Sequence, residues 1–358
     1  AGPGETPPPR HAAALDDLTR RLWDGVPEQD ATVLVHGDLE CNGGDVLRMG
    51  HIREVHDLRE CRRLWHALWP RTNLFDLWFV RECFARRFGT TPFFLVAEEE
   101  GHPRGLLALS SLEDRSGFAA FPGESWRGET WLEQNRIPAR NPAVAEDLLR
   151  HVPGVLHLRY LAEKALPPEA ARFDETDYLF LPEEHGFDFD RYRERLSPRT
   201  RRQIDEETRA LEARGVTFRH EDLGDLDELF AMNLRAFGEA SYFRDPRFLA
   251  SFEDLGQALR SARMLRVTTV LVGGRVAAVD LGGVFRRGYT LLAGGTDPEF
   301  PGVAKLINLH HIRRACGERL RFVDFLSGDF GWKERFRLTP RPLFRTDLPG
   351  GVPPETPR

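Results

Sequence analysis

Twice along this chain a helical stretch runs into two strand-like segments joined by a tight glycine turn, and twice, further on, a helix leads into one more strand. In the first half the order is a helix over 75–88, a strand over 93–98, a turn over 101–105 and a strand over 106–109. In the second half it is a helix over 247–259, a strand over 265–272, the turn Gly273-Gly274 and a strand over 276–281. Later helices are expected at 143–150 and 304–316, leading into strands at 155–160 and 320–326. Two strand runs joined by a short glycine turn read as an antiparallel hairpin, and a helix between strands permits a crossover. The chain is therefore expected to be α/β, strictly α+β, with two tandem lobes that each carry a mixed, mostly antiparallel sheet flanked by helices. The repeat is one of element order, with little residue identity.

At 358 residues, 41% of them hydrophobic, the chain can bury two modest cores. We divide it into a lead-in over 1–27, a first lobe over 28–182, a second lobe over 183–345 and a tail over 346–358. The opening AGPGETPPPR and the tail from Pro349 are rich in Pro and Gly and are expected to be loose. A net charge of −6 gives no global attraction to nucleic acid, and DNA is not an expected partner. Cys41, Cys61, Cys83 and Cys316 are scattered without C-x-x-C spacing, so neither a zinc site nor a disulfide framework is expected, which fits a cytoplasmic protein with no metal. No apolar run approaches the roughly 20 residues that span a bilayer, and the N-terminus has no signal arrangement, so no membrane span is expected.

The join between the halves is legible. A strand over 177–182 and an acidic loop over 183–190 lead to LSPRTRRQIDEETRALEARG, where Ser197 is a good N-cap, Pro198 takes the first helical position and Gly215 marks the end. Thr200, Ile204, Thr208 and Leu211 share one face, while Arg199, Arg202 and Arg209 fall on the opposite, solvated one. Arg201 lies beside the apolar stripe, from which a guanidinium can reach a carboxylate or phosphate in bidentate fashion.

Residues 288–336 are the densest in chemistry. A strand over 289–293 ends in a glycine pair, a loop passes Asp297 and Glu299 to Pro301-Gly302, and a helix begins there. The first N–H groups of a helix lack internal partners and sit at the positive end of its dipole, so a glycine-led start can cradle an anion. Then come Asp324 on a strand, Asp329 and the Trp332-Lys333 pair. Each has an ordinary reading beside the functional one. Asp297 and Asp329 suit turns, and Tyr289 is either a core-facing strand residue or a hydroxyl donor. Asp324 either clamps an arginine or accepts a proton, and Asp280 raises the same question. Lys333 is either a surface lysine or a charge for a developing oxyanion. His310 and His311 point about 100° apart on a helix and cannot form one chelate. Trp126 and Trp131 suit aromatic packing. No Ser-His-Asp spacing, P-loop or zinc pattern occurs.

The loop Glu299-Phe300-Pro301-Gly302-Val303-Ala304 resembles the Gln/Arg-x-x-Gly-x-Gly/Ala pyrophosphate loop of GNAT-fold acyltransferases, with Glu departing at the first position. The wider pattern of a Tyr strand, a GG-x-D turn, Pro-Gly opening a helix, Asp-Phe-Leu-x-Gly-Asp and an aromatic-Lys pair resembles BioF2-like acetyltransferases and their FemAB-type relatives over roughly residues 28–345. The resemblance implies two GNAT-like lobes and an N-acyltransferase that works by direct attack of an acceptor amine, small-molecule or peptide. It implies acyl-CoA, acetyl or longer, as co-substrate, its pyrophosphate at Pro301, Gly302, Val303, Ala304 and Lys305. Lys333, Asp324 and Tyr289 become the catalytic candidates. Arg201, Trp126, Asp297, Asp329 and Trp332 become the substrate contacts. An aminoacyl-tRNA donor, as in FemAB-type ligases, is the alternative, and Glu299 keeps open a non-catalytic two-lobed binding module.

Overall fold

The computed structural model describes residues 51–112, 116–123, 125, 130–162, 171–328 and 331–349. In the first half β1 (His51–Val55) and α1 (Leu58–Leu68) precede α2 (Trp78–Phe88), β2 (Pro92–Glu99), β3 (His102–Ser111), β4 (Phe118–Ala120), α3 (Pro142–Arg150), β5 (Leu156–Leu161) and β6 (Arg172–Phe180). After α4 (Phe189–Arg195) and α5 (Pro198–Glu212) come β7 (Val216–His220), α6 (Leu226–Phe237), α7 (Pro246–Ser261), β8 (Leu265–Val272), β9 (Arg275–Phe285) and β10 (Gly288–Thr296). The chain closes with α8 (Val303–Gly317), β11 (Phe322–Ser327), the single turn α9 (Trp332–Arg335) and β12 (Thr339–Leu348).

Three helices start the same way, with a short polar cap followed by proline. Asn141, Ser197 and Asp245 accept hydrogen bonds from Val144 N, Thr200 N and Arg247 N, ahead of Pro142, Pro198 and Pro246. The caps satisfy donors that the helix cannot, and proline loses nothing there because its missing N–H would be unpaired anyway. On α5, Ile204 and Leu211 of the expected stripe are buried.

Among the described residues, twelve strands join one mixed sheet, in the order β1-β2-β3-β4-β5-β12-β6-β11-β10-β9-β8-β7. The mixed α/β architecture expected from the repeat is present, and the two halves meet strand to strand. The last strand is the seam: β12 pairs antiparallel with β5 on one side and β6 on the other. Nothing in TPRPLFRTDL reads as a central strand, because proline removes a ladder donor. The register explains the tolerance. Pro340 and Pro342 face only β6, opposite Tyr178 and Thr176, and the pairing with β5 starts later, at Phe344.

Helices pack on the sheet through apolar clusters, and the largest crosses the halves. Phe84 and Phe88 of α2 and Leu132 pack with Phe248, Phe252 and Leu255 of α7 and with Val267 and Val279 of the second sheet half. Burying one such phenylalanine is worth about 2 kcal/mol. No helix among the described residues is long and apolar enough to cross a membrane.

Candidate functional site

The site is created by two parallel strands that part. β10 and β11 pair only at Gly288–Phe322, Tyr289–Val323 and Thr290–Asp324. Beyond that point β10 keeps its pairing with β9 through a bulge between Leu291 and Ala293, while β11 turns to β6. The opening holds a cleft of about 440 Å³, lined by residues 291–296 of β10 and 325–327 of β11. Ala304, Ile307 and Asn308 of α8 close one side, and Trp131, Tyr242, Phe248 and Phe252 form an aromatic wall on another. A strand whose neighbour has left presents unpaired backbone N–H and C=O groups, which gives the cleft hydrogen-bonding edges inside an apolar frame.

At the head of α8, Gly302 is left-handed with φ 91°, and a Cβ there would fall 2.7 Å from Glu207 Cβ. Glycine is therefore required on both counts. Pro301 is exposed and Val303 buried. Val303 N and Lys305 N bond to Phe300 O at 3.1 Å and Gly302 O at 3.0 Å, so part of the anion-binding capacity of this turn is already used. Lys305 Nζ donates to both carboxylate oxygens of Glu207 at 2.6 Å. Glu299 turns outward to Arg275 at 2.8 Å. Asp297 Oδ1 accepts from Glu299 N at 2.9 Å, the pattern of a turn residue.

The far end of β11 is held by a buried charge cluster. Lys333 lines the cleft, and its Nζ donates to Leu326 O at 2.7 Å and Ser327 O at 2.8 Å. Burial pushes its ammonium below the usual lysine range, with Glu133, Asp177, Asp324 and Glu175 opposing. Asp324 is fully buried, accepts from Gln134 Nε2 at 2.7 Å and from Leu326 N at 2.9 Å, and meets Arg341 Nη2 at 3.2 Å. Burial raises it to about 7, with Asp177 adding to the rise and Arg341 opposing it. Glu133, which accepts from Ser327 N and Oγ at 3.0 Å and 2.7 Å, is likewise pushed well above the carboxylate range by burial and then by Asp177 and Asp324. Three carboxylates face the two cations Lys333 and Arg341, and a proton held on the cluster relieves the excess negative charge.

The structure brings together Lys333, Trp332 and Ala304 on the cleft wall, with Pro301, Gly302, Val303 and Lys305 at the adjoining helix start. Asp324 sits behind the wall, in the charge cluster. Tyr289 is fully buried in the core beside His311, its hydroxyl unpartnered and pushed well above the usual phenol range by burial. Arg201 is half-buried on α5, and Asp297 stays in its turn. Trp126 and Asp329 lie outside the described residues. Sequence reasoning missed Glu133 and Gln134, which reach the site from the first half. It also missed the pairing of Asp280, on the cleft wall, with the fully buried His311, whose Nε2 is 2.8 Å from Asp280 Oδ2. No spacing rule links positions 280 and 311; only the packing of α8 on β9 does.

Residues 198–334 match the family described as "Acetyltransferase (GNAT) domain". Among solved structures, FemX shares the fold at TM-score 0.53 and 10% identity, over 84% of this chain and 98% of its own. A conserved protein of unknown function from Bacteroides thetaiotaomicron VPI-5482 aligns at TM-score 0.49 and 12% identity, over 83% of this chain and 99% of its own. A tandem GNAT protein from the clavulanic acid biosynthesis pathway aligns at TM-score 0.46 and 11% identity, over 83% and 98%. No curated protein matches the chain in sequence.

Proposed function

We propose, from the match of residues 198–334 to the GNAT acetyltransferase domain, that the chain is an acyltransferase that moves an acyl group from acyl-CoA to an acceptor amine by direct attack. The observation that carries this reading is the β10–β11 splay and the cleft inside it. The donor's amide-bearing arm pairs with the freed strand edges, and its thioester lies where residues 291–296 face Lys333. Backbone N–H groups of β10 polarise the thioester carbonyl, and the Lys333 charge adds to the stabilisation of the developing oxyanion. The amine nitrogen bonds to the carbonyl carbon, the C–S bond breaks, and the thiol leaves. Holding both reactants in one cleft replaces a bimolecular encounter by an oriented one. Asp324, Glu133 and Arg341 hold the β11 end and Lys333 in place. Trp332 and Trp131 frame the acceptor side.

One observation favours a second donor. Glu207 puts a carboxylate against Gly302, at the helix start where a pyrophosphate would rest, and Lys305 is already paired with it. An aminoacyl-tRNA, which brings its acyl group on a ribose ester, makes no demand on that cradle.

Thermal-shift binding of acetyl-CoA and longer acyl-CoAs tests the two. At a hundred times its dissociation constant a bound donor adds about 2.7 kcal/mol of stability. The shift is expected in the wild type and in Lys333→Ala, and is expected to vanish in Ala304→Trp, which fills the cleft from an exposed helical position. Gly302 is a poor probe, since any side chain there strains the backbone and strikes Glu207. No shift with any CoA rejects the leading reading, and charged tRNA then becomes the donor to test.

A further inference from the structure

Asp280 is the carboxylate that the fold delivers to the cleft, and three features of its setting are hard to explain as packing alone. It sits mid-sheet on β9, with Thr268 of β8 and Gly294 of β10 as cross-strand partners. Directly opposed residues point to the same face, so the glycine leaves a window through which the carboxylate meets the cleft. The window is needed: a Cβ on Gly294 would stand 2.4 Å from Asp280 Oδ1. The other oxygen, Oδ2, is taken by His311 Nε2 at 2.8 Å. The two oxygens therefore have separate tasks, one held from behind and one facing the opening.

α8 connects this pair to the donor end. Ala304, Ile307, Asn308 and His311 recur at helical spacing, so they form one stripe from the helix start inward. The first three line the cleft, and the fourth ends the stripe against Asp280. His311 is buried and its Nδ1 has no hydrogen-bond partner. A buried N–H without an acceptor costs more than an empty lone pair, which puts the imidazole proton on Nε2, donated to Asp280.

Resting on the reading of the cleft as an acyl-transfer site, we propose that Asp280 is the general base of this chain and His311 its positioning residue. The step balances without further groups. As the amine nitrogen bonds to the thioester carbon, the proton it sheds passes to Asp280 Oδ1, the C–S bond breaks, and the thiolate takes a proton from water. Asp280 then returns its proton to solvent through the open cleft. His311 fixes the carboxylate by its Nε2–H. This assigns the base to a residue on β9, apart from the Asp324 cluster behind β11.

The test is release of free thiol from acetyl-CoA with a panel of simple amines (glycinamide, glucosamine and a diaminoalkane), alongside acetyl-CoA binding by calorimetry. Asp280→Asn keeps the shape and an acceptor–donor contact to His311, and is expected to lose 100-fold or more in turnover with donor binding within twofold of wild type. Asp280→Ala is expected to regain part of its activity with added formate, a rescue that a purely structural aspartate would not show. His311→Phe is expected to lose about tenfold in turnover at unchanged donor affinity, and His311→Gln, which restores an N–H donor, to recover part of it. Turnover in Asp280→Asn within threefold of a working wild type overturns the assignment and leaves the cleft reading intact. A wild type that neither binds acetyl-CoA nor releases thiol overturns both.

Discussion

The two halves of the sheet contain the same parallel strand pair and treat it in opposite ways. In the first half β4 and β5 pair at Phe118–Leu156 and Ala119–His157, and β4 stops after Ala120. The gap beyond it, between β3 and β5, is filled by the chain itself. Asn135 N donates to Tyr160 O and Ala162 N to Asn135 O, both at 2.9 Å, while Leu106 N donates to Pro138 O at 2.8 Å. Beneath this plug lies Arg81, fully buried and donating to Phe75 O at 2.8 Å, Phe121 O at 2.6 Å and Asn135 Oδ1 at 2.8 Å. In the second half β10 and β11 part in the same sense, and the opening is a cleft. The same topology yields a wall where the chain closes its own splay and a site where it does not. The plug also serves the open half, because Trp131 lines the cleft and Glu133 and Gln134 bond to Ser327 and Asp324.

Unplugging the closed splay is expected to give the largest effect. Arg81→Ala strands several buried oxygens at once, and a loss of about 3–5 kcal/mol of stability is expected in urea unfolding. A loss below 1 kcal/mol would show that the plug does not depend on the guanidinium. Next comes the contact between plug and cleft, which titrates. Asp324 is held at about 7 in the folded chain, against about 3.9 in the unfolded one. The folded state then carries the extra proton between these values, so stability is greatest below pH 4 as far as this group is concerned, falls as pH rises towards 7 and is level above. The drop is on the order of 4 kcal/mol, and Asp324→Asn is expected to reduce it in melts recorded from pH 4 to 8.

The open splay gives smaller expected effects. Lys333→Met is expected to cost about 2–3 kcal/mol in the transition state, seen as a roughly hundredfold fall in turnover with the donor-induced thermal shift retained. A shift lost along with turnover would instead make Lys333 a binding residue. Smallest is Glu207→Gln, which frees Lys305 at the helix start. A CoA donor is expected to bind about threefold tighter by calorimetry, an amount in the range of an exposed charge contact. Unchanged affinity would indicate that no phosphate approaches this turn.

The periodic and punctuated parts of the fold were legible in the sequence. Strand β8 was expected at its observed bounds, and α5, with Ser197, Pro198 and its Ile204–Leu211 stripe, matches because caps and periodicity are local signals. β12 was not legible, because its two prolines argue against a strand and only the staggered register excuses them. Glu133 and Gln134 were invisible for another reason: they lie 190 or more residues in sequence from their partners Ser327 and Asp324. Within the site, the glycine-led helix start could be read from Pro301-Gly302. The carboxylate of Glu207 beside it could not, since it comes from a different helix.

The seam strand sets the order in which this protein can be made. β5 and β6 wait for β12, which ends at Leu348, so on the ribosome the first half emerges with the edge of β5 unpaired while nearly two hundred further residues are translated. Such an edge invites pairing with any passing strand. Long-range pairing of this kind is also slow to form. The first half is therefore not a module that can finish folding during synthesis, and chains that lack residues 339–348 should stay dependent on chaperones even though every residue of the cleft has been translated.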